Sequence, residues 1–169
     1  MLMIILNLVH IVAGVFWGGA VLLLAVCIGP AVDAAGAAGS AFMHKLMVEA
    51  RFAMAMGISG GLTMLSGLIM YWMVSGGLAS AWLTSTHGIL ISVGAICGIA
   101  TAVLGGAASK RAGKRMSALA AEIQAAGNAP NETQQAEMQG LKLKLRRSSV
   151  VSGWLILIAI VCMALARTF

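Results

Sequence analysis

Two histidines lie inside apolar runs of this 169-residue sequence, His10 within L-V-H-I-V-A-G-V-F-W-G-G and His87 after T-S-T. On a helix, steps of three, four and seven residues return to one face. Asn7, His10, Gly14, Trp17 and Gly18 therefore share a stripe, as do His87, Gly94, Gly98, Thr101 and Gly105. A neutral imidazole is a metal ligand, and small residues on the same face let a backbone or a flat ligand approach closely. This combination suits a b-type haem whose iron is held axially by His10 and His87. Gly14, Gly18, Gly94 and Gly98 would clear space for the macrocycle, and Trp17 would pack on its edge.

Plainer readings of the same residues stand beside this one. His10 can serve as a neutral group hydrogen-bonding to a serine or threonine of a neighbouring helix, and Trp17 as a large core filler. His87 can be solvated near the water interface, and His44 lies among surface or headgroup-facing residues. Copper is the alternative metal, because twelve methionines and three cysteines are soft ligands. Met43 with Met47 and Met70 with Met73 share faces, yet no M-x-x-x-M series crosses an apolar run, and methionine is also a filler of irregular cores. The five acidic residues, Asp33, Glu49, Glu122, Glu132 and Glu137, all fall outside those runs. Paired-carboxylate catalysis has no candidate, and no glycine-rich phosphate loop is present.

The elements that must position these residues follow from composition. With 60% hydrophobic and 9% charged residues, the chain carries more apolar surface than one soluble core can bury, which places it in a bilayer. The uncharged runs are Leu2–Ile28, Phe52–Ser109 and Ser148–Ala166. A span needs ~20 residues, so the middle run folds back once, at V-S-G-G-L-A-S-A-W, and four spans result. The expected boundaries are 2–28, 52–75, 81–108 and 148–167, in a single all-α membrane domain. Trp72 and Trp82 read as an interfacial belt at the turn, and Gly29 with Pro30 as the stop of the first span. At about 1.5 Å per residue, His10 lies roughly 12 Å from the start of its helix and His87 roughly 9 Å from Ala81, at matched depth. The second span is similarly smooth at Gly57, Gly60, Gly61 and Gly67, whereas the fourth is mostly Leu, Ile, Val and Ala. The first three helices are thus expected to surround the site, with the fourth facing lipid.

Lys45, Arg51 and the basic residues between Lys110 and Arg147 lie in the first and third connections, whereas the Val74–Ala81 turn has none. Retention of positive loops in the cytoplasm predicts both termini outside. The net charge of +6 sits beside membrane ends without interleaved aromatics, which points to anionic lipid headgroups and away from nucleic acid. Cys27, Cys97 and Cys162 share no metal or haem-attachment spacing.

Ser40 is placed to cap the second helix, with Phe42, Met43 and Met47 running on into its span. Residues 109–147 carry helical spacing on both sides of G-N-A-P-N-E, with Met116, Leu119 and Ile123 before it and Met138, Leu141 and Leu145 after it. Spans three and four are therefore expected to extend into the cytoplasm as an antiparallel hairpin, Asn131 capping the second arm; the alternative is a disordered basic loop.

The residues L-V-H-I-V-A-G-V-F-W-G-G, followed by I-G-P, resemble the opening helix of small bacterial membrane proteins grouped around the CopD-like copper-resistance domain and the HemJ-type protoporphyrinogen oxidase. The final M-A-L-A-R is similar to endings of four-span relatives of that group. The resemblance implies a bacterial inner membrane, and it implies haem or porphyrin binding at the first-span histidine, here His10. The HemJ type also carries a lysine four residues after the tryptophan opening a later span. The matching position after Trp82 is Thr86, with His87 next as a substitute ligand. The leading expectation is a haem b protein in electron transfer or porphyrin handling. The others are a cofactor-free accessory subunit of a larger membrane complex or homo-oligomer, and copper passage or resistance.

Overall fold

The computed structural model describes residues 1–127 and 129–169, and within them the chain is helical without strands. Four helices are long and apolar enough to cross a membrane: Leu2–Ala34, Phe52–Val74, Thr86–Ala126 and Glu132–Ala166. The protein is a multi-pass membrane helix bundle.

The first of these has three parts: α1 (Leu2–Leu23), a π-helical turn (Leu24–Ile28) and α2 (Gly29–Ala34). The expected stop at Gly29 and Pro30 does not occur. Gly29 is in ordinary right-handed conformation and Pro30 falls in the first turn of α2. A π turn already displaces one carbonyl from the regular ladder, so a proline just beyond it removes no bond the helix needs.

After α2 the chain turns at Gly36 (φ 57°) into α3 (Gly36–His44) and a second π turn, Lys45–Glu49. Ser40 lies inside α3, where its hydroxyl donates back to the Gly36 carbonyl, and so caps nothing. The second helix does not run unbroken into its span either. Arg51 adopts left-handed geometry (φ 54°) and separates that segment from α4, Phe52–Val74.

The turn after α4 contains Gly76, Gly77 and Leu78 at positive φ. It leads into a short helix, α5 (Ser80–Leu83), before α6 (Thr86–Ala126) opens with the Ser85 hydroxyl accepting from the Gly88 amide. The third span thus starts at Thr86, five residues later than the pattern predicts. Trp72 is exposed, as a belt residue should be, but Trp82 is half-buried and edge-on to Tyr71.

The long helical hairpin forms as anticipated. Gly127 closes α6 in left-handed conformation, and Asn131 opens α7 (Glu132–Ala166) with a reciprocal capping box to Gln134. Leu119 is 1% exposed, and Met116, Ile123, Met138, Leu141 and Leu145 are half-buried along the seam. Arg115 of one arm grips Glu137 of the other and Glu122 of its own.

In the bundle, α1 packs on α4 and α6 packs on α7. The two pairs join through α1 with α7 and, more thinly, α4 with α6. The fourth span is not the lipid-facing outlier anticipated from its composition: Ser152, Gly153, Ile156, Ala159 and Ala166 are buried, a larger share than in any other span. Small residues at three- to seven-residue spacing let α7 approach both partners, and its large aliphatics point outward.

Candidate functional site

Three contacts set the register of α1 against α4. His10 lies over Gly67, where an added Cβ would come 2.8 Å from imidazole Cε1; Gly14 meets the Thr63 side chain; the Trp17 indole covers Gly60, 3.1 Å from an added Cβ to Nε1. Each pair of residue numbers sums to 77, as straight antiparallel helices require. A ring from one helix fills a glycine notch of the other at seven-residue intervals, a knobs-into-holes arrangement in which lost side-chain volume on one helix accepts excess volume on the other.

His10 is held further by polar contacts. Its Nδ1 is 2.8 Å from the Thr63 carbonyl oxygen and 3.4 Å from the Ser66 hydroxyl. A carbonyl only accepts, so Nδ1 carries the hydrogen and Nε2 the lone pair. Thr63 and Ser66 donate their own hydroxyls back along α4, to Ser59 and Leu62. The polar stripe Ser59, Thr63, Ser66 is therefore buried with its hydrogen bonds made. The expectation of an interhelical hydrogen-bonding histidine describes these contacts, with the carbonyl of a threonine as principal partner.

His87 belongs to the other helix pair. Its Nδ1 donates to the carbonyl of Ala166 at 2.8 Å, and its ring stands edge-on to Trp82. Ala166 is the last residue of α7, where carbonyls lack an intrahelical partner. His87 thus closes the C-terminal turn of α7 onto the first turn of α6. Gly94, on the same stripe, faces Ala159 and Met163 of α7, and Gly18 of α1 faces Ile156. Gly98 meets nothing within 4 Å.

The packing beside these residues does not fit one haem held between His10 and His87. Two imidazoles on a single metal need nitrogens about 4 Å apart, twice a metal–nitrogen bond of about 2.0–2.1 Å. The Tyr71 hydroxyl bonds the Ser92 hydroxyl at 2.7 Å and links α4 to α6. The two Nδ1 atoms are engaged with different partners, the Thr63 carbonyl of α4 for His10 and the Ala166 carbonyl at the end of α7 for His87.

The surfaces assigned to the macrocycle are filled as well. Gly14, Gly18 and Gly94 touch neighbouring helices, and Trp17, 7% exposed, forms the core cluster with Val21 and Ile156. Trp17 is a core filler. Among the described residues no three His, Cys, Asp or Glu side chains gather as a metal site. Cys27 is exposed and Cys97 and Cys162 are half-buried, all as free thiols.

Among the described residues, open hollows lie elsewhere: one of about 150 Å³ between the first and fourth spans near Ala25 and Gly153, and one of about 400 Å³ on the surface of α7 beside Arg146 and Arg147. The sequence reading missed both. The π turn that opens the first has no compositional mark, although the Arg146–Arg147 pair next to Ser148 was visible. Compared with models of protein families, with curated proteins and with solved structures, the chain matches none.

Proposed function

We propose that this chain is a cofactor-free accessory subunit that docks within the membrane onto a larger assembly, its basic hairpin on the cytoplasmic side and both termini outside. The observation that carries this reading is the division of α4 into two faces. One face, Ser59, Gly60, Thr63, Ser66 and Gly67, is covered by α1. The other carries Ala53, Gly57 and Gly61 in exposed positions, and an added Cβ at either glycine would meet nothing within 4 Å. Small residues four apart on an outward helix face permit close helix approach, the main source of association where lipid is as apolar as protein. The orientation rests on the basic residues at one end.

Purification in mild detergent tests this. The expected result is recovery at fixed stoichiometry within a species larger than the 17.3 kDa chain, released by Gly57→Leu with Gly61→Leu, and with no visible absorbance. A lone monomer whose behaviour those substitutions leave unchanged would reject the reading.

One observation favours a second reading, a haem or other metal bound by a single histidine. Donation from Nδ1 to a main-chain carbonyl, as both His10 and His87 do, is the arrangement that orients metal-ligating imidazoles and leaves Nε2 available. A Soret band that His10→Ala or His87→Ala removes, in protein from cells supplied with haem precursors, would establish it over the first.

A further inference from the structure

The two hollows share Val150 and follow one another along α7 as an open seam. At its upper end Arg146 and Arg147 stand at the start of the apolar part of α7; below them the walls are Val150, Gly153 and Trp154 on one side and Ala25 on the other. The opening has a local cause. The first span is π-helical over Leu24–Ile28, and Gly153 brings α7 so close that an added Cβ would lie 3.1 Å from that of Ala25. The helices touch there. From Arg146 to Leu157 the seam runs eleven residues, about 16 Å, roughly the depth of one leaflet of a ~30 Å hydrocarbon core.

Charge at the mouth is unequal. Arg146 is 3.8 Å from Asp33 of α2, which partly offsets it, whereas Arg147 has no carboxylate within ion-pair distance among the described residues. Lys142, one turn before Arg146 on α7, donates to the Ser40 hydroxyl of α3 and brings a third cation to this edge. The single acid leaves a surplus of positive charge beside an open apolar groove.

We propose that this seam is a binding site for an anionic phospholipid. The headgroup phosphate lies against Arg147 and Arg146, and one acyl chain lies between the π turn and α7. Guanidinium groups recognise phosphate oxygens in pairs, and basic pockets between helices at a membrane surface select anionic headgroups. The leaflet-length apolar groove below them distinguishes a lipid from a free anion. The inference is independent of whether α4 docks to another protein.

The test uses the full chain in detergent, titrated with phosphatidylglycerol, phosphatidylcholine or inorganic phosphate and followed by native mass spectrometry. Phosphatidylglycerol should be retained at about tenfold lower concentration than phosphatidylcholine, a preference that R146Q/R147Q removes. Val150→Trp, at a position 43% exposed and so tolerant of bulk, should displace the lipid while leaving every charge in place. Inorganic phosphate should not compete. Equal retention of both lipids, unchanged phosphatidylglycerol binding in R146Q/R147Q or in Val150→Trp, or displacement by phosphate at lipid-like concentration would each overturn the proposal. Circular dichroism and elution volume of the two variants separate loss of the site from loss of the fold.

Discussion

The imidazole of His10 donates from Nδ1 to the main-chain oxygen of Thr63 at 2.8 Å while its ring fills the notch above Gly67. One side chain thus supplies both a polar tether and a steric lock between the first two spans. The two roles are inseparable in the wild type, since the ring edge that reaches the carbonyl is the edge the glycine admits.

Gly67→Ala places a methyl group 2.8 Å from His10 Cε1, an overpacking expected to cost about 1–3 kcal/mol. His10→Ala removes a membrane hydrogen bond and leaves a gap, together about 1–2 kcal/mol. In the double variant the new methyl enters the space the ring vacated. The losses should therefore fall short of their sum by about 1 kcal/mol, read from thermal unfolding in detergent. Additive losses would show that the ring and the glycine do not touch.

Ser152 is 3% exposed, its hydroxyl has no hydrogen-bond partner, and it lies 3.2 Å from where Gly105 would carry a Cβ. Most membrane serines return a bond to their own helix, as Ser59 and Ser66 do here. A buried hydroxyl without a partner costs about 1–3 kcal/mol. Ser152→Ala keeps the Cβ and removes the orphan oxygen. Its midpoint of thermal unfolding should rise by about 2–4 °C, and a fall would mean that the hydroxyl is bonded in the membrane.

The arms of the hairpin are joined by Arg115, which donates to both oxygens of Glu137 and to Glu122. The hydrogen bonds that Arg115 donates hold the Glu137 carboxyl below its ordinary range, and donating to Glu137 and then to Glu122 holds the guanidinium above its own. A depressed carboxylate contributes stability above its unfolded value, about 4.3, and that contribution is lost as pH falls through the native value. Protection of the Glu132–Gly140 amides from hydrogen exchange, relative to their intrinsic rates, should therefore fall below about pH 4.3 in the wild type. Glu137→Gln should show the lower protection at all pH values and no such step. The pair lies at the surface, so added salt should shrink the difference.

Much of the architecture was legible in the sequence because the bilayer imposes it. Three apolar runs, a glycine-rich turn that folds the middle one, helical spacing on either side of G-N-A-P-N-E and the clustering of basic residues specify spans, hairpin and charge asymmetry without tertiary information. Each is a property of one segment against its solvent. Local signals failed where several backbone conformations were acceptable: the π turn at Leu24–Ile28, left-handed Arg51, and the late start of α6 at Thr86.

The candidate site shows the same division. Helical periodicity correctly put His10, Gly14 and Trp17 on one inward stripe, and His87 and Gly94 on another. Periodicity says which residues share a face, and nothing about which helix that face meets. Packing gave the first stripe to α4 and the second to α7, because Gly60 and Gly67 accept large rings and the end of α7 presents a free carbonyl at Ala166. Whether two imidazoles meet depends on axial register between helices remote in the chain. Only the tertiary structure fixed that register, through the fit of rings into glycine notches, the Tyr71–Ser92 bond and the closure of His87 onto Ala166.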